Sequence, residues 1–124
     1  MEEVLKVIKD GMSSLGLNYE FMEWTKKVKY PYFVGEYSED ESMTEDGLCT
    51  GTVFLTGFTR GSWLELEQAK TKIENYFDRI SGLIVTTGTS VVAIFYGNGM
   101  PIPTGDAELK KLQINLQFKE WKVK

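Results

Sequence analysis

The sequence predicts an α+β domain in which two amphipathic helices pack on one face of a mostly antiparallel or mixed β-sheet, in the order α-β-β-β-α-β-β-β. Three observations predict it. Val4, Leu5, Ile8, Met12 and Leu15 recur at helical spacing. A second stripe, Leu66, Ala69, Ile73, Tyr76, Phe77 and Ile80, follows the S-x-x-E pattern of Ser62 and Glu65. Near the end, Leu112, Ile114, Leu116 and Phe118 alternate with Lys111, Gln113, Asn115, Gln117 and Lys119, the signature of a strand with one dry face.

The elements follow in order. Glu2 and Glu3 suit the positive end of the first helix dipole, and Gly16 suits its end. Gly11 weakens the helix somewhat. Leu17, Tyr19 and Phe21 alternate with polar residues and predict a half-buried strand. "KYPYFVGEY" predicts a second, with Pro31 at its first residue or on an edge. "TGTVFLTGFTRG" is apolar on both faces and predicts a central strand. Ser62 and Glu65 predict a capping box for the second helix, which Gly82 ends. "LIVTT", "SVVAIFYG" and "ELKKLQINLQFKEW" predict three more strands, the last two joined by "GNGMPIPTGDAE". Trp63, Leu66, Ile73, Phe77, Val53, Leu55, Ile114, Leu116 and Phe118 are expected to share one core.

A chain of 124 residues predicts a single domain over 1–124. At this size it buries roughly two-thirds of its unfolded surface. With 42% apolar and 13% aromatic residues, overall disorder is excluded. A net charge of −4 argues against nucleic-acid binding, which rests on neutralising phosphates. No histidine is present, which removes the commonest general base and transition-metal ligand. The single Cys49 allows no internal disulfide and no CxxC zinc site. The acidic N-terminus is unlike a signal peptide, and no apolar run nears the ~20 residues of a membrane helix. A soluble intracellular protein is expected.

The stretch Gly35–Gly47 carries Glu36, Glu39, Asp40, Glu41, Glu45 and Asp46 with no base among them. Placed on a calcium loop, Gly47 at position 6 puts Val53 at position 12, so the ligand set fails. A mobile acidic loop at about 38–48 is expected instead. Ser62 lacks both a G-x-S-x-G elbow and a histidine, and Cys49 lacks a partner base. "GNGMPIPTG" lacks the GK[ST] of a phosphate loop. No catalytic residue, cofactor site or metal site is expected, and the protein is not expected to be an enzyme. Bases gather on either side of this acidic stretch: Lys26, Lys27 and Lys29 before it, and Lys110, Lys111, Lys119, Lys122 and Lys124 along the last strand and tail. One patch of one sign cannot pair with itself, so opposite patches favour a head-to-tail contact, which closes into a ring when its rotation allows. The expected subunit interface is Lys26, Lys27, Lys29, Tyr30, Tyr32, Glu39, Asp40, Glu41, Glu45, Asp46 and Trp121.

The succession "LKVIKDGMSSLG", "KYPYFVGEY", "TGTVFLTGFTRGSWLELEQAKTKIENYFD" and "GDAELKKLQINLQFKEW" resembles the tail terminator or tail completion proteins of long-tailed bacteriophages and prophages. The likeness covers nearly the whole chain in order. Its motifs are soft patterns, with Arg60, Ser62 and Ala69 at the strand-to-helix junction. It implies a ring, usually of six copies, that caps the tail tube and meets the head connector. It implies assembly in the bacterial host cytoplasm, a place at the head-proximal end of the tail, and no catalytic residues. DNA passes through such a ring without specific binding. Two alternatives stay open: another head-closure or connector subunit, and a small ligand-binding domain with a pocket lined by Trp24, Trp63 or Tyr96.

Overall fold

A computed structural model of the chain describes residues 1–40 and 47–122. Its elements are α1 (Glu2–Ser14), β1 (Asn18–Phe21), β2 (Tyr32–Glu39), β3 (Leu48–Thr59), α2 (Trp63–Tyr76), β4 (Leu83–Thr86), β5 (Ser90–Ile102) and β6 (Lys110–Lys122). Among the described residues these strands form one sheet, ordered β1-β2-β3-β6-β5-β4. The sheet is mixed: β1 runs parallel to β2, and every other neighbouring pair is antiparallel.

The long register of β3 with β6, from Leu48↔Trp121 to Thr59↔Lys110, makes these two strands the centre. Burial alternates along both, as a period of two requires when one face is covered. Val53, Leu55, Leu112, Ile114, Leu116 and Phe118 lie beneath Val4, Ile8 and Met12 of α1 and Leu66, Ala69 and Ile73 of α2, in one core. Aromatic rings lie over glycines on this face. A Cβ at Gly57 would stand 2.5 Å from the Phe33 ring, and one at Gly51 would stand 2.5 Å from that of Phe118. Gly11 has the same use. There α1 crosses the end of α2, with Tyr76 and Phe77 within 3.0 Å of where a side chain would begin.

The helix ends show how local chemistry decides the boundaries. Gly16 takes φ +72°, its N–H bonds Ser13 O, and Leu17 N–H bonds Met12 O, the paired closure of a glycine-terminated helix. At α2, Ser62 holds the extended N-cap conformation but makes no side-chain cap bond. The expected capping box is not formed. Glu65 instead accepts 2.7 Å from the buried Thr59 hydroxyl, which ties the helix start to the end of β3.

Three further expectations need correction. Trp63 is not in the core: it opens α2 and is 42% exposed. Ile80 is 89% exposed, because α2 stops at Tyr76. Phe77 there turns out of helical geometry, its carbonyl accepts from Tyr96 N–H at 2.6 Å, and the Asp78 carboxylate takes the amides of Ile80 and Ser81. Those two amides hold the Asp78 carboxyl below its ordinary value. Finally, β5 does not end at Gly97. A bulge between Tyr96 and Asn98 lets it run on to Ile102, so the first half of "GNGMPIPTGDAE" is strand. β4 covers β5 only from Val91 to Ile94, so Pro101 sits where its missing N–H is not needed on the outer side.

The acidic stretch is partly strand as well. Ser38 and Glu39 belong to β2 and Leu48 to β3. Glu41, Glu45 and Asp46, and with them the expected mobility, lie outside the described residues. No helix among the described residues is long and apolar enough to cross a membrane.

Candidate functional site on the uncovered sheet face

Both helices cover the same face of the sheet, so the register fixes what the other face displays. Its rows are Tyr32-Phe58-Lys111, Val34-Thr56-Gln113, Glu36-Phe54-Asn115, Ser38-Thr52-Gln117, Thr50-Lys119-Ala93 and Leu48-Trp121-Val91. No described element covers these rows. The middle is laced with side-chain hydrogen bonds. Asn115 donates to Asn98 Oδ1 at 2.8 Å, Gln113 donates to Asn115 Oδ1 at 3.0 Å, and Thr52 donates to Gln117 Oε1 at 3.2 Å. A face so satisfied is suited to contact in water and not to a missing helix.

The two ends differ. At the start of β2, rings stack across the sheet: Trp24 on Tyr32 with centroids 4.9 Å apart, Tyr30 on Tyr32 at 5.6 Å, and Tyr32 on Phe58 at 5.1 Å. Lys111 Nζ lies 5.7 Å from the Phe58 ring, within cation–π range. Burial pushes the Tyr32 phenol up, the neighbouring Tyr30 adds to this, and Arg60 opposes it. Lys26, Lys27 and Lys29 stand exposed on the connection between β1 and β2, beside an exposed Tyr30. This end is aromatic and basic.

At the other end of β2, Glu39 is exposed and Asp40 accepts from the Thr50 hydroxyl at 2.9 Å. Trp121 is exposed there between Leu48 and Val91. Lys119 and Lys122 are also exposed on the adjacent end of β6. An eight-residue strand separates the two ends by roughly 25 Å. The structure therefore gathers the expected bases with Tyr30 and Tyr32, and keeps them apart from Glu39, Asp40 and Trp121 within one subunit. Trp24, Phe58, Arg60 and Lys111 join the aromatic end unforeseen. For Phe58 and Lys111 the signal is cross-strand register, which the sequence does not print. The three residues expected to line a ligand pocket do not meet. Tyr96 is in the core, Trp63 is exposed on α2, and Trp24 lies on Tyr32. Among the described residues no three acidic, cysteine or histidine side chains gather as a metal site would require. Cys49 is half-buried, and its thiol is pushed up by burial first and by Glu39 next.

Beside the aromatic end, two polar atoms are buried without a partner among the described residues: Tyr19 Oη and Trp24 Nε1. Burial pushes Tyr19 up to about 12 from 10.0. A phenol raised in the fold contributes stability that is complete below pH 10 and is lost as pH rises through 12. Two pH units correspond to about 2–3 kcal/mol. Tyr19→Phe is therefore expected to flatten the alkaline loss of stability between pH 10 and 12. At pH 7 it should raise stability by about 1 kcal/mol, since the buried hydroxyl has no acceptor. Urea unfolding of both proteins at pH 7 and pH 11 checks this, and an unchanged alkaline slope in Tyr19→Phe would refute it. Models of known protein families give no match to the chain, and a search of curated proteins finds no similar sequence.

Proposed function

We propose that the chain is a virion assembly subunit, a tail terminator that forms a ring, caps the tail tube and joins it to the head connector. The observation that carries this reading is the separation of aromatic and charged residues along β2. Tyr30, Tyr32, Lys26, Lys27 and Lys29 stand near one end of β2, and Glu39, Asp40 and Trp121, with Lys119 and Lys122 beside them, stand near the other. Such a surface is complementary to a copy of itself displaced by one subunit, and a head-to-tail contact closes when its rotation allows. Exposed ion pairs supply only ~0–1 kcal/mol each, so charge sets orientation. Tyr30, Tyr32 and Trp121 supply affinity, as aromatic anchors do in protein interfaces.

The resemblance in segment order supports the same reading. So does the amide-laced centre of the face, which suits reversible contact with a tube or connector. The partners are further copies of the chain, the tail tube protein and the head-closure protein. Assembly takes place in the bacterial host cytoplasm and ends at the head-proximal end of the tail, with DNA passing through without specific binding. Tail tube protein polymerised with and without the subunit tests the proposal. The subunit should arrest growth and appear at one tube end, while Lys27→Glu combined with Lys29→Glu should restore growth. Tubes that lengthen equally with the unmodified subunit would exclude the role.

A further inference from the structure

The sheet has two outer edges, and they differ. The β1 edge is occupied and charged. Phe21 O accepts from Glu23 N–H at 2.9 Å, and Glu20, Glu23, Lys6, Lys9 and Lys26 line the groove beside that strand. β4 is the opposite edge, four residues that pair with β5 alone. No charged residue stands between Arg79 and Asp106, so β4 and β5 carry none. Native proteins usually blunt an edge strand with lysine, proline or a bulge. β4 has none of these, and its register with β5 is unbroken from Leu83 to Thr86.

The backbone of the β4 edge is free. Thr87 N–H donates to Ser90 O at 2.7 Å, which makes Thr87 and Ser90 a hydrogen-bonded pair. Alternation then turns Leu83 and Val85 toward β5, and turns the N–H and C=O of Ile84 and Thr86 outward. Tyr96 on β5 agrees, since its N–H leaves the ladder on the β4 side to reach Phe77 O at 2.6 Å. Among the described residues no hydrogen bond is made to the outward groups of Ile84 and Thr86. Both faces of β4 also show apolar surface. Ile84 is 63% exposed on the uncovered face, beside Ala93. On the helix face Leu83 and Val85 pack on the core but are only partly buried. Glu3, Lys6 and Asp10 of α1 line the groove over Val85 and Thr86, a set of mixed sign.

We propose that β4 pairs antiparallel with β4 of a second copy about a two-fold axis at Val85, joining two six-stranded sheets by strand addition. This axis sets Ile84 opposite Thr86 of the second copy, so every outward group of both residues gains a partner. Val85 meets Val85 of the second copy on the helix face. The two Ile84 side chains stand diagonally across the axis on the other face. Gly82 falls opposite Gly88 of the second copy, so no side chain obstructs the place where the strands part. A second copy is the occupant for three reasons. An uncharged strand is not repelled by its own image. Its outward groups are self-complementary in this register. A two-fold contact closes, which leaves only the blunted β1 edges at the ends of the joined sheet. The contact is short, so the dimer depends on concentration. It uses none of the residues named for the ring contact and does not rest on that reading.

The test uses the full chain with Cys49→Ser as background. Directly opposed, non-hydrogen-bonded residues have Cα atoms roughly 4.5 Å apart, within reach of a disulfide. Val85→Cys should therefore form a covalent dimer on mild oxidation, faster than Met22→Cys, which is 59% exposed but lies just past β1 at the opposite edge. Sedimentation of the unmodified protein should approach twice 14.1 kDa as concentration rises, and hydrogen exchange at the Ile84 and Thr86 amides should slow in step. Thr86→Pro removes an outward amide and leaves the β5 ladder intact, so it should abolish the dimer. Should that variant unfold, Ile84→Lys, at an exposed position, should raise the dimer dissociation constant at least about tenfold. Equal oxidation rates for Val85→Cys and Met22→Cys would overturn the proposal. So would a dimer that persists in both Thr86→Pro and Ile84→Lys. Protection of the two amides only on adding tail tube protein would overturn the second copy as occupant. Rings without the Val85 cross-link would overturn this inference alone, and a Val85-linked dimer that never arrests a tail tube would overturn the terminator reading alone.

Discussion

Phe77→Ala is expected to destabilise the protein by about 3–5 kcal/mol, the usual range for removing a buried phenylalanine. Phe77 is fully buried, caps α2 and touches Tyr76 with centroids 4.9 Å apart. Its ring also closes the space over Gly11, so its loss opens a cavity where both helices meet. The backbone limits collapse into that cavity, because Phe77 O is held by Tyr96 N–H. Denaturant unfolding followed by tryptophan fluorescence measures the effect. A loss below about 1 kcal/mol would mean that the helices do not meet there.

Glu120→Ala should cost a similar amount, about 3–5 kcal/mol, as breaking a buried ion pair does. Glu120 is only 1% exposed although it lies in the otherwise apolar row of Cys49 and Val92. Its carboxylate takes the Ser90 hydroxyl at 2.8 Å and the Met1 ammonium at 3.1 Å. Removing it leaves a nearly buried ammonium without its counter-charge and a buried hydroxyl without its acceptor. Ser90→Ala should cost less, about 1–2 kcal/mol, since only one hydrogen bond is lost. Urea unfolding of both variants gives the comparison. Equal costs for the two would show that the charge pair contributes nothing.

Much of this architecture is legible in the chain. Strict alternation from Lys111 to Lys119 marks β6, and the glycine after Leu15 marks the end of α1. What escapes has physical causes. A helical stripe gives the angular position of residues and not how far the core extends beneath them, so it carries Ile80 past the end of the core, and the apolar bulk of Trp63 does not show that it stands outside it. The capping box failed because Thr59, distant in local pattern but adjacent in space, offers Glu65 a better donor. The bulge at Tyr96 hides a strand among glycines and prolines that locally read as a turn. At the site, charge and aromatic content are visible in sequence, and their distribution is not. That Phe58 meets Tyr32 and Lys111 depends on two registers. That Lys26, Lys27 and Lys29 stand at the opposite end of β2 from Glu39 and Asp40 depends on β2 running unbroken from Tyr32 to Glu39.

The measurement closest to the central claim is the symmetry of the particle at the end of a tail tube. Electron microscopy of tubes grown with the purified subunit gives it directly. The expected result is a closed ring at one tube end, sixfold as the tail-terminator resemblance implies, with Tyr30 and Tyr32 of each copy facing Trp121 of the next. Tubes with bare ends, together with a subunit that remains monomeric in light scattering at millimolar concentration, would contradict it.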